Sequence, residues 1–150
     1  MANKDLRDWI AELEAAGQLQ RVSGAERDEE IGAIVDIHMR KMTNPAVLFD
    51  EIPGFGKNHR VLANILTSVP RINIALGLPI ETSEVDLVRY WRDYMKNQPS
   101  IPPIELNGGP LLDNVSSGDD IDITTIPTPK WHEDDGGYFI GTACMVVRRD

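Results

Sequence analysis

Apolar positions along the chain change spacing several times, and each change marks an element. Leu6, Trp9, Ile10 and Leu13 fall at i, i+3, i+4 and i+7, which predicts a helix over residues 4–16. Asn3 or Asp5 can cap its start, and Gly17 suits the left-handed position after its end. "LQRV" reads as a short strand, and "SGAERDEE" as a polar connector with acids placed to favour the next helix start. A second helix over 29–42 puts Ile31, Ile34, Val35, His38 and Met42 on one face, with Pro45 beyond its end. "AVLFDEI" and "RVLANILT" read as strands joined by the turn "PGFGKNH", a hairpin or two neighbouring strands. "PRINIALGL" is a short helical segment ended by Gly77 and Pro79.

Residues 84–97 carry the clearest helical pattern. Leu87, Val88, Trp91, Tyr94 and Met95 predict a buried stripe, Ser83 and Asp86 a capping box, and Arg89 with Asp93 an i,i+4 ion pair. The pattern then breaks. Pro99, Pro102, Pro103 and Pro110 with Gly108-Gly109 exclude continuous regular structure and predict a linker. "IDITTIP" alternates like a strand, "TPKWHEDDGG" reads as a loop, and "GGYFIGTACMVVRRD" as a turn entering a strong strand. The predicted order is α-β-α-β-β-α-α, a linker, then β-β. This is an α+β class: a small mixed sheet with helices packed on it, residues 1–98, a Pro/Gly-rich linker over 99–119, and the beginning of a β unit over 120–150.

Composition narrows the function classes. The 150 residues suffice for one domain or for one and part of another. Hydrophobic and charged shares of 41% and 26% are ordinary for a globular chain. No apolar run approaches a membrane span, and the charged start "MANKDLRDW" is no secretory signal, so a cytoplasmic location is expected. The formal charge of −9 argues against nucleic-acid binding, because Arg148-Arg149 is the largest basic cluster. A single cysteine, Cys144, excludes an internal disulfide and thiolate metal clusters.

Candidate chemistry is sparse. "PGFGK" fails as a phosphate loop, since Glu51 occupies the first glycine position and Asn58 the hydroxyl position; it reads as a turn. "WHEDD" at 131–135 gathers an imidazole and three carboxylates, but consecutive residues cannot converge on one ion, so a solvated loop is the better reading. His38 reads as a core histidine with one hydrogen bond or as an interface residue, and His59 as a turn residue without a partner. Cys144 reads as a small buried hydrophobe, and Trp91 with Tyr94 as core or interdomain contact. These residues make up no complete catalytic set.

Ordered motifs add what residue chemistry leaves open. Asp5-Leu6-Arg7, Leu13-Glu14, Gly17 and Leu19 resemble the N-terminus of the UbiD-type decarboxylases. "AVLFDEIPGF" resembles that family's Leu-Phe strand before a glycine turn. Val61, Leu62, Asn64, Arg71 and Ala75-Leu76-Gly77 resemble its next strand and short helix, and "IPTPKWHEDDGGYFIGTACMVVRRD" its entry into a flavin-binding split β-barrel. The resemblance implies the N-terminal portion of a carboxy-lyase that acts on aromatic or α,β-unsaturated carboxylic acids. It implies a flavin-reductase-like split barrel from residue 120 on, with prenylated FMN as electron sink, held by a divalent metal (manganese) and potassium. It places Thr142 nearest the flavin, and puts the other catalytic and metal-binding groups after the segment that matches Asp150. It also implies a homo-oligomer when full length, with this chain alone inactive. The alternative is a free-standing, non-catalytic binding or assembly subunit of a decarboxylase complex; a stable core left by proteolysis is a third reading.

Overall fold

A computed structural model describes residues 5–105, 107–109 and 112–139. A three-stranded sheet in the order β1-β2-β3 organises the first two thirds of these residues: β1 is Leu19–Ser23, β2 Ala46–Asp50 and β3 Val61–Ala63. β1 runs parallel to β2, with Leu19 opposite Ala46, and the helix α2 (Glu30–Met39) makes the crossover. β3 pairs antiparallel with β2, with Leu48 opposite Leu62, as the hairpin-like spacing predicts. The fold is therefore mixed α+β.

Strand β2 lies at the centre and is buried on both faces over Ala46, Val47, Leu48 and Phe49, which is why those four positions are a continuous apolar run. Val47 and Phe49 face α2, where they pack with Ala25, Ile31, Val35, Ile52 and Ala63. Ala46 and Leu48 face the other way, onto Trp9, Ile10 and Leu13 of α1 (Leu6–Ala15), with Ile74 of α3 (Val69–Ala75) beside them. The period-2 alternation of side chains thus gives one short strand two helical layers.

Helix α1 starts where Asp5 accepts the amides of Arg7 and Asp8, and stops at Gly17, whose φ of +66° suits glycine. Its stripe holds only in part, because Leu6 is exposed. Helix α2 is shorter than its pattern. It ends at Met39, and Met42 of the expected face is fully exposed.

Helix α4 (Glu84–Asn97) has the expected bounds and the expected cap, with Ser83 Oγ accepting the Asp86 amide at 3.2 Å. Two expectations for it fail. Leu87 is its single buried residue, while Val88, Trp91, Tyr94 and Met95 lie between 40% and 63% exposed. Periodicity reports that a face is apolar, not that something covers it. Trp91 and Tyr94 instead stack on each other, with ring centroids 5.7 Å apart. The second failure is the Arg89–Asp93 pair. Arg89 turns back to Asp86 at 3.2 Å, where the capping serine already holds the carboxylate, and Asp93 pairs with Arg92.

"IDITTIP" is not a strand. Asp122 accepts both the amide and the hydroxyl of Thr124, and Thr125 Oγ1 donates to the Asp122 carbonyl oxygen, winding Ile123–Thr125 into a 3-10 turn. A preceding turn covers Gly118–Asp120. Local side-chain bonds of Asp and Thr compete with the ladder and win, because Pro127 and Pro129 remove donors that a strand would need. The final predicted strand, with Thr142, Cys144 and Arg148-Arg149, lies outside the described residues except at its start.

Candidate functional site

The site is built where the late stretch 123–139 meets the α/β unit. Pro127 and Pro129 are buried, and Trp131 packs against the cluster on the α2 side of the sheet. A parallel bridge joins Asp28 to Lys130: the Glu29 amide donates to the Lys130 carbonyl oxygen at 2.8 Å, and the Lys130 amide donates to the Arg27 carbonyl oxygen at 3.1 Å. Lys130 Nζ lies 3.4 Å from Glu29 Oε1 and donates to the Glu133 carbonyl oxygen at 2.6 Å. Glu29, at the start of α2, has a φ of +68°, a left-handed conformation that a non-glycine residue rarely adopts. One turn on, the buried Gly32 faces Trp131 so closely that a Cβ there would sit 1.8 Å from the Trp131 carbonyl oxygen.

Arg27 sits at the centre of this junction. Its guanidinium carbon is 4.2 Å from the centroid of the Tyr138 ring and 5.2 Å from that of Phe55. Two concavities flank it. One, of about 430 Å³, is mainly apolar and is lined by Arg27, Ile123, Ile126, Tyr138 and Phe139 among others. The other, of about 540 Å³, runs along the turn Pro53–Gly56 to His59, and shares Arg27 and Thr124 with the first. Arg27 is the one charged residue that lines the first hollow. Trp131 Nε1 donates to the Phe139 carbonyl oxygen at 3.1 Å, which ties the end of the described stretch back to its start.

The remaining sequence candidates stay apart from this site or serve it structurally. His38 is half-buried and makes two polar contacts rather than the one expected of a core histidine: its Nδ1 lies 2.8 Å from the Ile34 carbonyl oxygen and its Nε2 3.4 Å from Lys41 Nζ. His59 edges onto Phe55 with centroids 6.3 Å apart. "WHEDD" forms a turn, with the His132 amide donating to Asp135 Oδ2 at 2.9 Å. Among the described residues no three His, Cys, Asp or Glu side chains are grouped to hold a metal ion. The described residues therefore offer no grouped ligand set for a divalent ion. Thr142 lies outside them.

The motif residues Asn64 and Arg71 have a role that spacing did not disclose. Asn64 Nδ2 donates to Asn44 Oδ1 at 2.7 Å and to the Pro45 carbonyl oxygen at 2.6 Å. Arg71 is fully buried and donates to the carbonyl oxygens of Asn44, Asn64 and Ile65 and to Thr67 Oγ1. Burial draws its pKa down, with only neutral acceptors around it. This cluster fastens the ends of β2 and β3 to α3. Arg27 and Lys130 were missed because each sits in a stretch whose composition reads as solvated loop.

This fold is that of a decarboxylase N-terminal region. Residues 10–91 match the model of the 3-octaprenyl-4-hydroxybenzoate carboxy-lyase N-terminal domain, and residues 104–150 that of the same family's Rift-related domain. The chain belongs to this family, the UbiD family. It is 33% identical over 147 residues to pyrrole-2-carboxylic acid decarboxylase of Pseudomonas aeruginosa, covering 92% of this chain and 29% of that protein. A phenolic acid decarboxylase of Streptomyces sp. is 29% identical over 153 residues, 99% of this chain and 31% of the relative. Vanillic acid decarboxylase of Sedimentibacter hydroxybenzoicus superposes with a TM-score of 0.78 in an open form and 0.80 in a closed form, at 30% and 29% identity. Each superposition covers 92% of this chain, and 30% and 29% of that protein's chain respectively. The chain thus spans about 30% of the length of the relatives it matches. Among the described residues no helix is long and apolar enough to cross a membrane.

Proposed function

We propose that this chain is the N-terminal portion of a carboxy-lyase that removes, or in reverse adds, the carboxyl group of an aromatic or α,β-unsaturated acid. The observation that carries this reading is the pair of family matches, in order, over residues 10–91 and 104–150. The relatives named for pyrrole-2-carboxylic, phenolic and vanillic acid decarboxylation agree with it in substrate class. The proposed division is an α+β unit up to about residue 98, a linker, and a split-barrel unit from about 120 onward; the second family match begins at residue 104, within the proposed linker.

Decarboxylation leaves an electron pair on carbon, which needs a sink. The proposed sink is prenylated FMN, held with manganese and potassium by parts of the enzyme other than the described residues, with Thr142 as this chain's contact to it. The contribution of the described residues is structural. The α/β unit holds the Pro127–Phe139 stretch by Lys130, Trp131 and Arg27.

The test is twofold. The coding sequence beyond Asp150 is expected to continue into the rest of a decarboxylase, and a stop codon there overturns the reading in favour of a free-standing assembly subunit. The complete enzyme with reconstituted cofactor is expected to release carbon dioxide from an aromatic acid, and residues 1–150 alone are not. Turnover by residues 1–150 alone refutes the division of labour proposed here.

A further inference from the structure

We propose that Arg27 is a latch: its guanidinium, between Phe55 and Tyr138, holds the stretch 123–139 against the α/β unit, and its release opens the two flanking concavities into one. The latch is a property of this chain's own packing and stands whether or not the chain serves catalysis.

One cation contacts rings from two separate segments. Phe55 belongs to the turn between β2 and β3, and Tyr138 to the end of the late stretch. A guanidinium over two ring faces is weakly hydrated there, and a compact ammonium reproduces that contact only in part. No strong ion pair ties it elsewhere, since its carboxylate neighbour is the adjacent, largely exposed Asp28 at 3.6 Å.

The rest of the junction is suited to two states. The backbone bridge comprises two hydrogen bonds, at Glu29 and Lys130, rather than a ladder. Glu29 is held in the left-handed region while it donates to Lys130, so undocking lets it relax. The contact of Gly32 with the Trp131 carbonyl oxygen shows a surface shaped for docking. Arg27 and Thr124 are the residues common to both hollows, so moving the 123–139 stretch removes their shared wall.

Amide hydrogen exchange at Glu29 and Lys130, read by NMR on the whole chain, tests this. Arg27→Ala and Tyr138→Ala are each expected to speed exchange at both amides by roughly three- to tenfold, the range of a partly exposed cation–π contact. Tyr138→Leu, which keeps the apolar contact without the ring face, is expected to do the same. Arg27→Lys should retain part of the protection. The double variant should exchange no faster than Arg27→Ala alone, and amides of β2 should not move. Unchanged exchange in Arg27→Ala, simple multiplication of the two effects, or equal acceleration in β2 each overturns the latch.

Discussion

Arg71 Nη2 donates to the Asn64 carbonyl oxygen at 3.0 Å, with Arg71 fully buried and Asn64 nearly so. Asn64 itself sits at a φ of +57°, which turns the chain out of β3 and aims that carbonyl inward. The guanidinium is the common donor to three backbone carbonyls from two loops. Removing it leaves several buried acceptors unpaired, each costing about 1–3 kcal/mol. Arg71→Met is therefore expected to destabilise the fold by about 3 kcal/mol or more in a denaturant titration. A loss under about 1 kcal/mol would show that the cluster is ornamental.

Gly32 offers a sharper geometric test. On helix propensity alone, Gly32→Ala should stabilise α2 by roughly 1 kcal/mol. The Trp131 carbonyl oxygen at 1.8 Å from the added carbon reverses the sign. The variant is expected to melt lower than the parent, with Trp131 emission shifted to the red as the loop is displaced. A higher melting temperature would contradict the close approach.

Leu87 and Trp91 lie one turn apart on α4 and should behave differently. Leu87 is buried, so Leu87→Ala is expected to lose about 2–3 kcal/mol. Trp91 is 47% exposed and stacks on Tyr94, so Trp91→Ala should change stability by about 0.5 kcal/mol or less. Chemical denaturation of the two variants in parallel settles the order, and equal losses would place Trp91 in a core.

The cap of α4 carries a pH dependence. The Ser83 hydroxyl, then Arg89, holds the Asp86 carboxyl below its ordinary value of 3.8. A pKa lowered by folding means that the stabilisation is complete above 3.8 and is lost as pH falls through the lower, folded value. Helicity followed by circular dichroism should thus fall on acidification below that point, and Ser83→Ala should move the loss to higher pH. An unmoved acid transition in Ser83→Ala would sever the link between cap and titration.

Local rules read the elements well and their surroundings badly. Capping by Asp5 and Ser83, the left-handed Gly17 and the apolar run Ala-Val-Leu-Phe of β2 follow from neighbours in sequence, so the sequence alone discloses them. The stripe on α4 failed because burial depends on what lies opposite, which periodicity does not encode. "IDITTIP" failed because alternation was weighed without the competing side-chain bonds of Asp122. The ordered motifs disclosed the family but not what Asn64 and Arg71 do in it. Arg27 and Lys130 meet across some hundred residues, and nothing in either local stretch points to the other.

That separation has a kinetic consequence. Glu29 and Lys130 close a loop of 101 residues, whereas the pairings within the sheet close far shorter ones. Loop-closure entropy rises with length, and a nascent chain emerges from its N-terminus. The surface around Arg27 and Gly32 is therefore complete before Lys130 leaves the ribosome. The α/β unit acts as a template awaiting the 123–139 stretch, and errors in that last docking step fall on this junction rather than on the core.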